Sequence, residues 1–240
     1  MGQGPDPTEQ RRVAGQARAY HRGVSYASDE RAALCATLSE TGPGAPTLCK
    51  GWRTVDLAAH LVLRERRLDA AAGLMGGPLA GHTRRVNQKL SAGVPFPRLV
   101  ELIRTGPPAL SFFRLPGMEE RGNLVEFFVH HEDIRRGQDG WQPRELKDGL
   151  TDVLWQRLQR SKLLFRRSPV GVELARDDLT GGTGERQVRM TARARTPVVT
   201  VTGHPAELLM WALGRTGAAR VRLDGSADAV RQLGTARRGV

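Results

Sequence analysis

Glu126 and His130 stand four residues apart in the segment Asn123-Leu-Val-Glu126-Phe-Phe-Val-His130-His131-Glu132-Asp133-Ile-Arg-Arg. On a helix that spacing projects both side chains from one face, so a carboxylate and an imidazole can converge on one point. A third donor, His60, lies upstream in Gly51-Trp52-Arg53-Thr54-Val-Asp-Leu-Ala-Ala-His60-Leu. Two neutral imidazoles and one carboxylate suit a borderline divalent ion such as zinc and leave coordination positions open for chemistry. The flanking Leu124, Val125, Phe127, Phe128 and Val129 make this the most apolar helical stretch of the chain, and a glutamate buried there calls for a cation. Spacing alone leaves blander readings open: a solvated helix face, Glu126 paired with Arg121 or Arg135, or His60 as a satisfied core histidine. His131 and Glu132 are rivals on the same helix, turned about 100° per residue from Glu126 and His130. His21, His82 and His204 form no competing cluster, and Trp52 is expected to pack the loop before the His60 helix. There is no nucleophile elbow, P-loop or dinucleotide-binding fingerprint, and Gly181-Gly-Thr-Gly reads as a turn.

These donors need helices to carry them. Residues 1–25 are polar, basic and punctuated by Pro and Gly, and read as a flexible tail. Ser28 is expected to cap a first helix running to Glu40 and burying Leu34 and Leu38. Thr54 is expected to cap a second, running to Gly73 with His60 on or near its inward side. A short helix over Thr83–Leu90 and another opened by Pro97 precede the Glu126/His130 helix, placed at Glu119–Arg136 with Gly137 as its stop. Pro143 then opens a long helix carrying Leu146, Leu150, Leu154, Leu158 and Leu163. After Ser168 short β-branched runs at 169–175, 187–192 and 198–202, a helix opened by Pro205 and a strand at 220–225 replace the leucine periodicity. The expected fold is α+β: a tail at 1–25, a four-helix bundle over 26–165 and a small α/β domain over 166–240.

The formal charge is +12, yet only four of the 37 basic residues are lysines (Lys50, Lys89, Lys147 and Lys162) and the arginines scatter along the chain. That pattern fits codon bias more than a nucleic-acid surface, and no aromatic-interleaved basic patch is present for stacking bases. No apolar run is long enough to span a bilayer, the N-terminus does not read as a signal peptide, and Cys35 and Cys49 form no CxxC pair. A cytoplasmic protein with packed thiols is expected.

Three motifs then carry a resemblance: Gly51-Trp52 through His60-Leu, Glu126 through Arg136, and Gly203-His-Pro-Ala-Glu-Leu-Leu-Met-Trp-Ala-Leu-Gly-Arg215. Together they resemble the actinobacterial metal-binding proteins related to mycothiol-dependent maleylpyruvate isomerase, within the DinB-like helical bundle superfamily. The resemblance implies a helical N-terminal bundle holding a divalent metal, usually zinc, through His60, Glu126 and His130. It also implies a small α/β domain after it. It points to a thiol-dependent isomerase or S-transferase that uses mycothiol as cosubstrate and acts on a small electrophile, the alternative being a non-catalytic metal-binding or regulatory protein. Arg85 and Arg215 are the candidates for binding anionic parts of such ligands.

Overall fold

The computed structural model describes residues 25–73, 77–109, 111, 114–115, 117–178 and 188–236. The expected tail, apart from Ser25, therefore lies outside the described residues, as do His21 and the Gly181 turn. The helical part comprises α1 (Tyr26–Thr41), α2 (Thr54–Arg66), α3 (Leu68–Ala71), α4 (Ala80–Gly93), α5 (Phe96–Arg104), α6 (Met118–Gly122), α7 (Leu124–Arg135) and α8 (Leu150–Arg160). A 3₁₀ turn (Lys162–Phe165) leads into β1 (Gly171–Arg176), β2 (Arg189–Arg193) and β3 (Val198–Gly203). These are followed by α9 (Pro205–Ala212), β4 (Arg222–Asp224) and α10 (Ala227–Thr235). The four strands form one sheet in the order β2-β1-β3-β4, with β1 and β3 parallel and both edge strands antiparallel.

Helix α7 is the wall between two hydrophobic clusters. Phe127 and Ile134 enter a cluster made by α1, α2 and α5, whereas Leu124, Phe128 and Val129 enter the one shared by α8, the sheet and α9. Contact with both clusters gives the Phe-Phe-Val run apolar neighbours on every side. Leu124, Phe127, Phe128 and Ile134 are fully enclosed, each worth about 1.5–3 kcal/mol of burial. The same enclosure forces every polar group on α7 to find a partner.

Several boundaries differ from the sequence expectation, each for an identifiable physical reason. Helix α1 starts one turn early because Ser25, not Ser28, is the cap: its hydroxyl oxygen accepts from the Ser28 amide at 3.2 Å. Thr54 is the first helical residue of α2 rather than its cap, and donates its hydroxyl to the Gly42 carbonyl. That helix ends at Arg66, since Arg67 leaves helical geometry (φ −125°, ψ 74°). The expected single helix 119–136 is two, broken at Asn123, whose side chain is drawn to α2 by Arg64 and Glu65. Pro143 opens no helix. Residues 143–149 run non-helically, Tyr26 donates to the Asp148 carbonyl at 2.7 Å, and Gly149 turns into α8 at φ +80°, a conformation natural to glycine. Helix α10 has no counterpart in the expectation, although Ser226 caps it in the usual way, accepting from the Ala229 amide at 3.3 Å.

One ion network, joined at buried Glu132, fixes α7 in place. Arg136, just past its C-terminus, donates to Glu132 at 2.7 Å and holds both oxygens of Glu207 on α9 at 2.7 Å. Arg144 bridges Glu132 to Glu30 on α1, with bonds of 2.7–2.9 Å. Gly137 has a further role beyond stopping the helix. A Cβ there would stand 2.6 Å from the Pro46 carbonyl, so only glycine lets the 46–49 loop lie against the end of α7.

Candidate metal centre

Helix α2 delivers His60 and α7 delivers Glu126 and His130 to one point. Glu126 Oε1 lies 3.1 Å from His60 Nε2 and 3.2 Å from His130 Nε2. One ligand atom from each of the three residues falls within 4.8 Å of the other two. The rings of His60 and His130 meet edge to face at 5.1 Å between centroids. Trp52 packs at 5.2 Å from His60, so it forms a wall of the site as well as packing its loop. The side chains of His60 and His130 are only 13% and 10% exposed, Glu126 28%, which leaves an approach on the glutamate side.

The partner of Glu126 among the arginines is Arg64, one helical turn past His60, at 3.6 Å. Arg121 and Arg135, the sequence candidates, are not its partners; Arg135 pairs with Glu132. His131 is turned away, as its position demands: it meets Thr37 at 2.9 Å and Glu30 at 3.4 Å on α1. Glu132 belongs to the Arg136 and Arg144 network.

Asp133 is the functional candidate that sequence reasoning missed. It is fully buried, three residues beyond His130, and Oδ2 lies 2.9 Å from His130 Nδ1. A carboxylate on the far ring nitrogen fixes the imidazole's orientation and tautomer and turns Nε2 toward the ligand side. Asp133 is held in turn by Arg215, through Nε at 2.9 Å and Nη2 at 2.6 Å. The His-x-x-Asp spacing was the available signal: i,i+3 places the two on neighbouring faces of one helix. Arg215 thus reaches Asp133 from the segment after α9, on the Nδ1 edge of His130 rather than beside Glu126 and His60. Arg85, by contrast, stands exposed on α4 rather than in a loop, and no hydrogen bond or ion pair joins it to the three donors.

The electrostatics are those of a site prepared for positive charge. Burial would push Glu126 up, but hydrogen bonds from His130 and His60 hold its carboxyl well below the usual range. Burial also opposes protonation of His130; the bonds to Asp133, Cys49 and Glu126 outweigh it and raise the imidazole well above its ordinary value. His60 goes the other way, lowered by burial and by its neighbour His130 against the pull of Glu126. Asp133 is brought down to about 2, its burial overcome by His130 and Arg215. Glu126 thus offers a carboxylate oxygen where the two imidazoles converge, and two imidazole nitrogens with one carboxylate oxygen are a donor set that fits a divalent cation.

Residues 24–110 match the family described as Mycothiol maleylpyruvate isomerase N-terminal domain. The segment carries His60 and Trp52 and ends before α7, and it relates the chain to the mycothiol-dependent isomerases. No curated protein and no solved structure matches the chain.

Proposed function

We propose, from that relation and from the convergence of the three donors, that the protein binds one divalent cation, zinc by donor type, through His60, Glu126 and His130. We further propose that it uses the cation to activate a low-molecular-weight thiol, mycothiol by family, toward a small electrophile. In this reading residues 26–165 form a DinB-like bundle carrying the centre, and residues 166–240 form the α/β domain that brings Arg215 to Asp133. The observation that carries the reading is Glu126 held between two imidazole Nε2 atoms, with the far nitrogen of His130 fixed by buried Asp133.

A cation bound there supplies Lewis acidity, which lowers the pKa of a thiol and lets it react as thiolate near neutral pH. The chain's own residues do the rest. His60 and His130 set the geometry and Glu126 offsets part of the charge. Asp133 keeps Nδ1 of His130 occupied. Arg64, beside Glu126, places a positive charge where a carboxylate of an anionic substrate would be held, and Arg215 fixes Asp133 behind His130. Thiolate addition to an activated double bond, rotation and elimination would isomerise the substrate; addition without elimination would make the protein an S-transferase.

Elemental analysis of wild type and of His60→Ala, Glu126→Ala and His130→Ala, with circular dichroism of each, tests the reading. About one cation per chain is expected in the wild type, lost from folded variants. Full occupancy in those variants, or wild type that cannot be loaded, refutes the centre. Thiol-dependent consumption of an electrophile that His60→Ala abolishes separates an enzyme from a non-catalytic metal-binding protein.

A further inference from the structure

His130 has donors on both edges of its ring. On the Nε2 edge stand His60 and Glu126. On the Nδ1 edge stand Asp133 Oδ2 at 2.9 Å and the thiol of Cys49, whose Sγ is 4.0 Å from Nδ1 and 3.2 Å from Oδ2. The ligand atoms of Cys49, His130 and Asp133 all fall within 4.8 Å of one another. A four-coordinate ion with bonds of about 2.0–2.3 Å separates its ligand atoms by about 3.3–3.6 Å. The observed triangle, 2.9, 3.2 and 4.0 Å, reaches that spacing by shifts of a few tenths of an ångström.

We propose that Cys49, His130 Nδ1 and Asp133 form a second, thiophilic cation position on the opposite edge of the imidazole from the His60/Glu126 centre. The 46–49 loop is held for this purpose as well as for packing. The Leu48 amide donates to the Asp133 carbonyl at 3.0 Å, the Cys49 amide to Thr47 Oγ1 at 3.2 Å, and Gly137 permits the close approach. Cys49 is half-buried and lines a cavity of about 590 Å³ with Lys50, Trp141 and Arg215, which gives a cation an entry path.

Arg215 is the competing charge. Its Nη2 lies 2.6 Å from Asp133 Oδ2 and 3.7 Å from Sγ, so it occupies in part the place the cation would take. Coordination through Oδ2 displaces Nη2, and Nε keeps its bond to Oδ1 at 2.9 Å. Thiol and Nδ1 protons leave to solvent, and thiolate, imidazolate and carboxylate are balanced by the dication and the retained guanidinium. A thiolate donor selects soft cations over magnesium or calcium. Because the two positions share one ring, occupancy of the second alters the first, and soft cations above one equivalent are expected to inhibit.

Cadmium titration of the full chain, followed by the ultraviolet sulfur-to-cadmium charge-transfer band, tests this. Expected are one thiolate-dependent equivalent in addition to the zinc already loaded, loss of the band in Cys49→Ser, and its persistence in Cys35→Ser. Cys35 is the internal control: it is buried, donates to the Val100 carbonyl at 3.8 Å, and is pushed up to about 11 by burial. The band should also persist in the His60→Ala/Glu126→Gln double variant, since the second position does not use those donors. Absence of the band, its survival in Cys49→Ser, or cadmium that only exchanges for zinc at a constant one equivalent overturns the proposal. A band without a stable zinc site would instead count against the His60/Glu126 reading alone, so the two failures are distinguishable.

Discussion

Replacing Asp133 by asparagine probes the proposed centre without touching any of its three donors. The amide keeps the side-chain volume at a fully buried position and retains an oxygen for His130 Nδ1–H, but loses the charge that both His130 and Arg215 use. A carboxylate behind a ligating imidazole is worth about 10–100-fold in metal affinity, or about 1.4–2.8 kcal/mol at 1.4 kcal/mol per decade. The structure places this variant toward the upper end: the Asp133–His130 contact is short and shielded from solvent, and Arg215 is left facing an uncharged group. Fold stability should fall less than for a fully buried pair, where loss of one partner costs about 3–5 kcal/mol, because the Arg215 side chain is 22% exposed and water can take over part of its solvation. The assay is zinc competition against a chromophoric chelator, with a urea melt of the metal-free protein alongside. Asparagine at 133 with wild-type zinc affinity would refute the argument, since it would mean that the far nitrogen of His130 plays no part in binding. A large loss of metal-free stability with unchanged affinity would refute it equally, making Asp133 an anchor for Arg215 only.

Other consequences follow from the ion network and the loop contact. Glu207→Gln breaks the bidentate bond to buried Arg136 and should cost about 3–5 kcal/mol in denaturant melts; a cost below about 1 kcal/mol would show that Arg136 is satisfied by Glu132 and the Ala218 carbonyl alone. Glu30 and Glu132 are lowered despite burial, Glu30 by His131 and Arg144, Glu132 by Arg144 and Arg136. Carboxylates bind fewer protons folded than unfolded, so their stabilisation is full above the unfolded value of about 4.3 and is lost as pH falls through the lowered folded values. The melting temperature of the metal-free protein should drop steeply below about pH 4.3, and a flat profile there would count against the network. Gly137→Ala drives a Cβ to 2.6 Å from the Pro46 carbonyl and should cost about 1–3 kcal/mol; because it displaces the Cys49 loop, it should weaken the cadmium–thiolate band more than zinc binding. Unchanged stability and an unchanged band would mean that the loop gives way freely.

Which residues can share a helical face follows from their order along the chain alone. Glu126 and His130 at i,i+4 were read from it because helical geometry is local, whereas Asp133, three residues beyond, fell under the same rule and was missed. The apolar run around them announced burial, and Pro205 and the β-branched runs announced α9 and the strands. Helix ends were less legible because their deciding contacts are distant: Asn123 breaks the α6–α7 run toward Arg64 and Glu65 on α2, and Arg144 leaves the expected helix to reach Glu30 and Glu132. It takes the folded chain to show that His60, 66 residues before Glu126, meets the same carboxylate oxygen as His130, that Arg64 rather than Arg121 or Arg135 is the neighbouring cation, and that Arg215 and Cys49 close on Asp133 from distant parts of the chain. Such meetings depend on how the two hydrophobic clusters seat α7 between them, a sum over many side chains that no single spacing encodes.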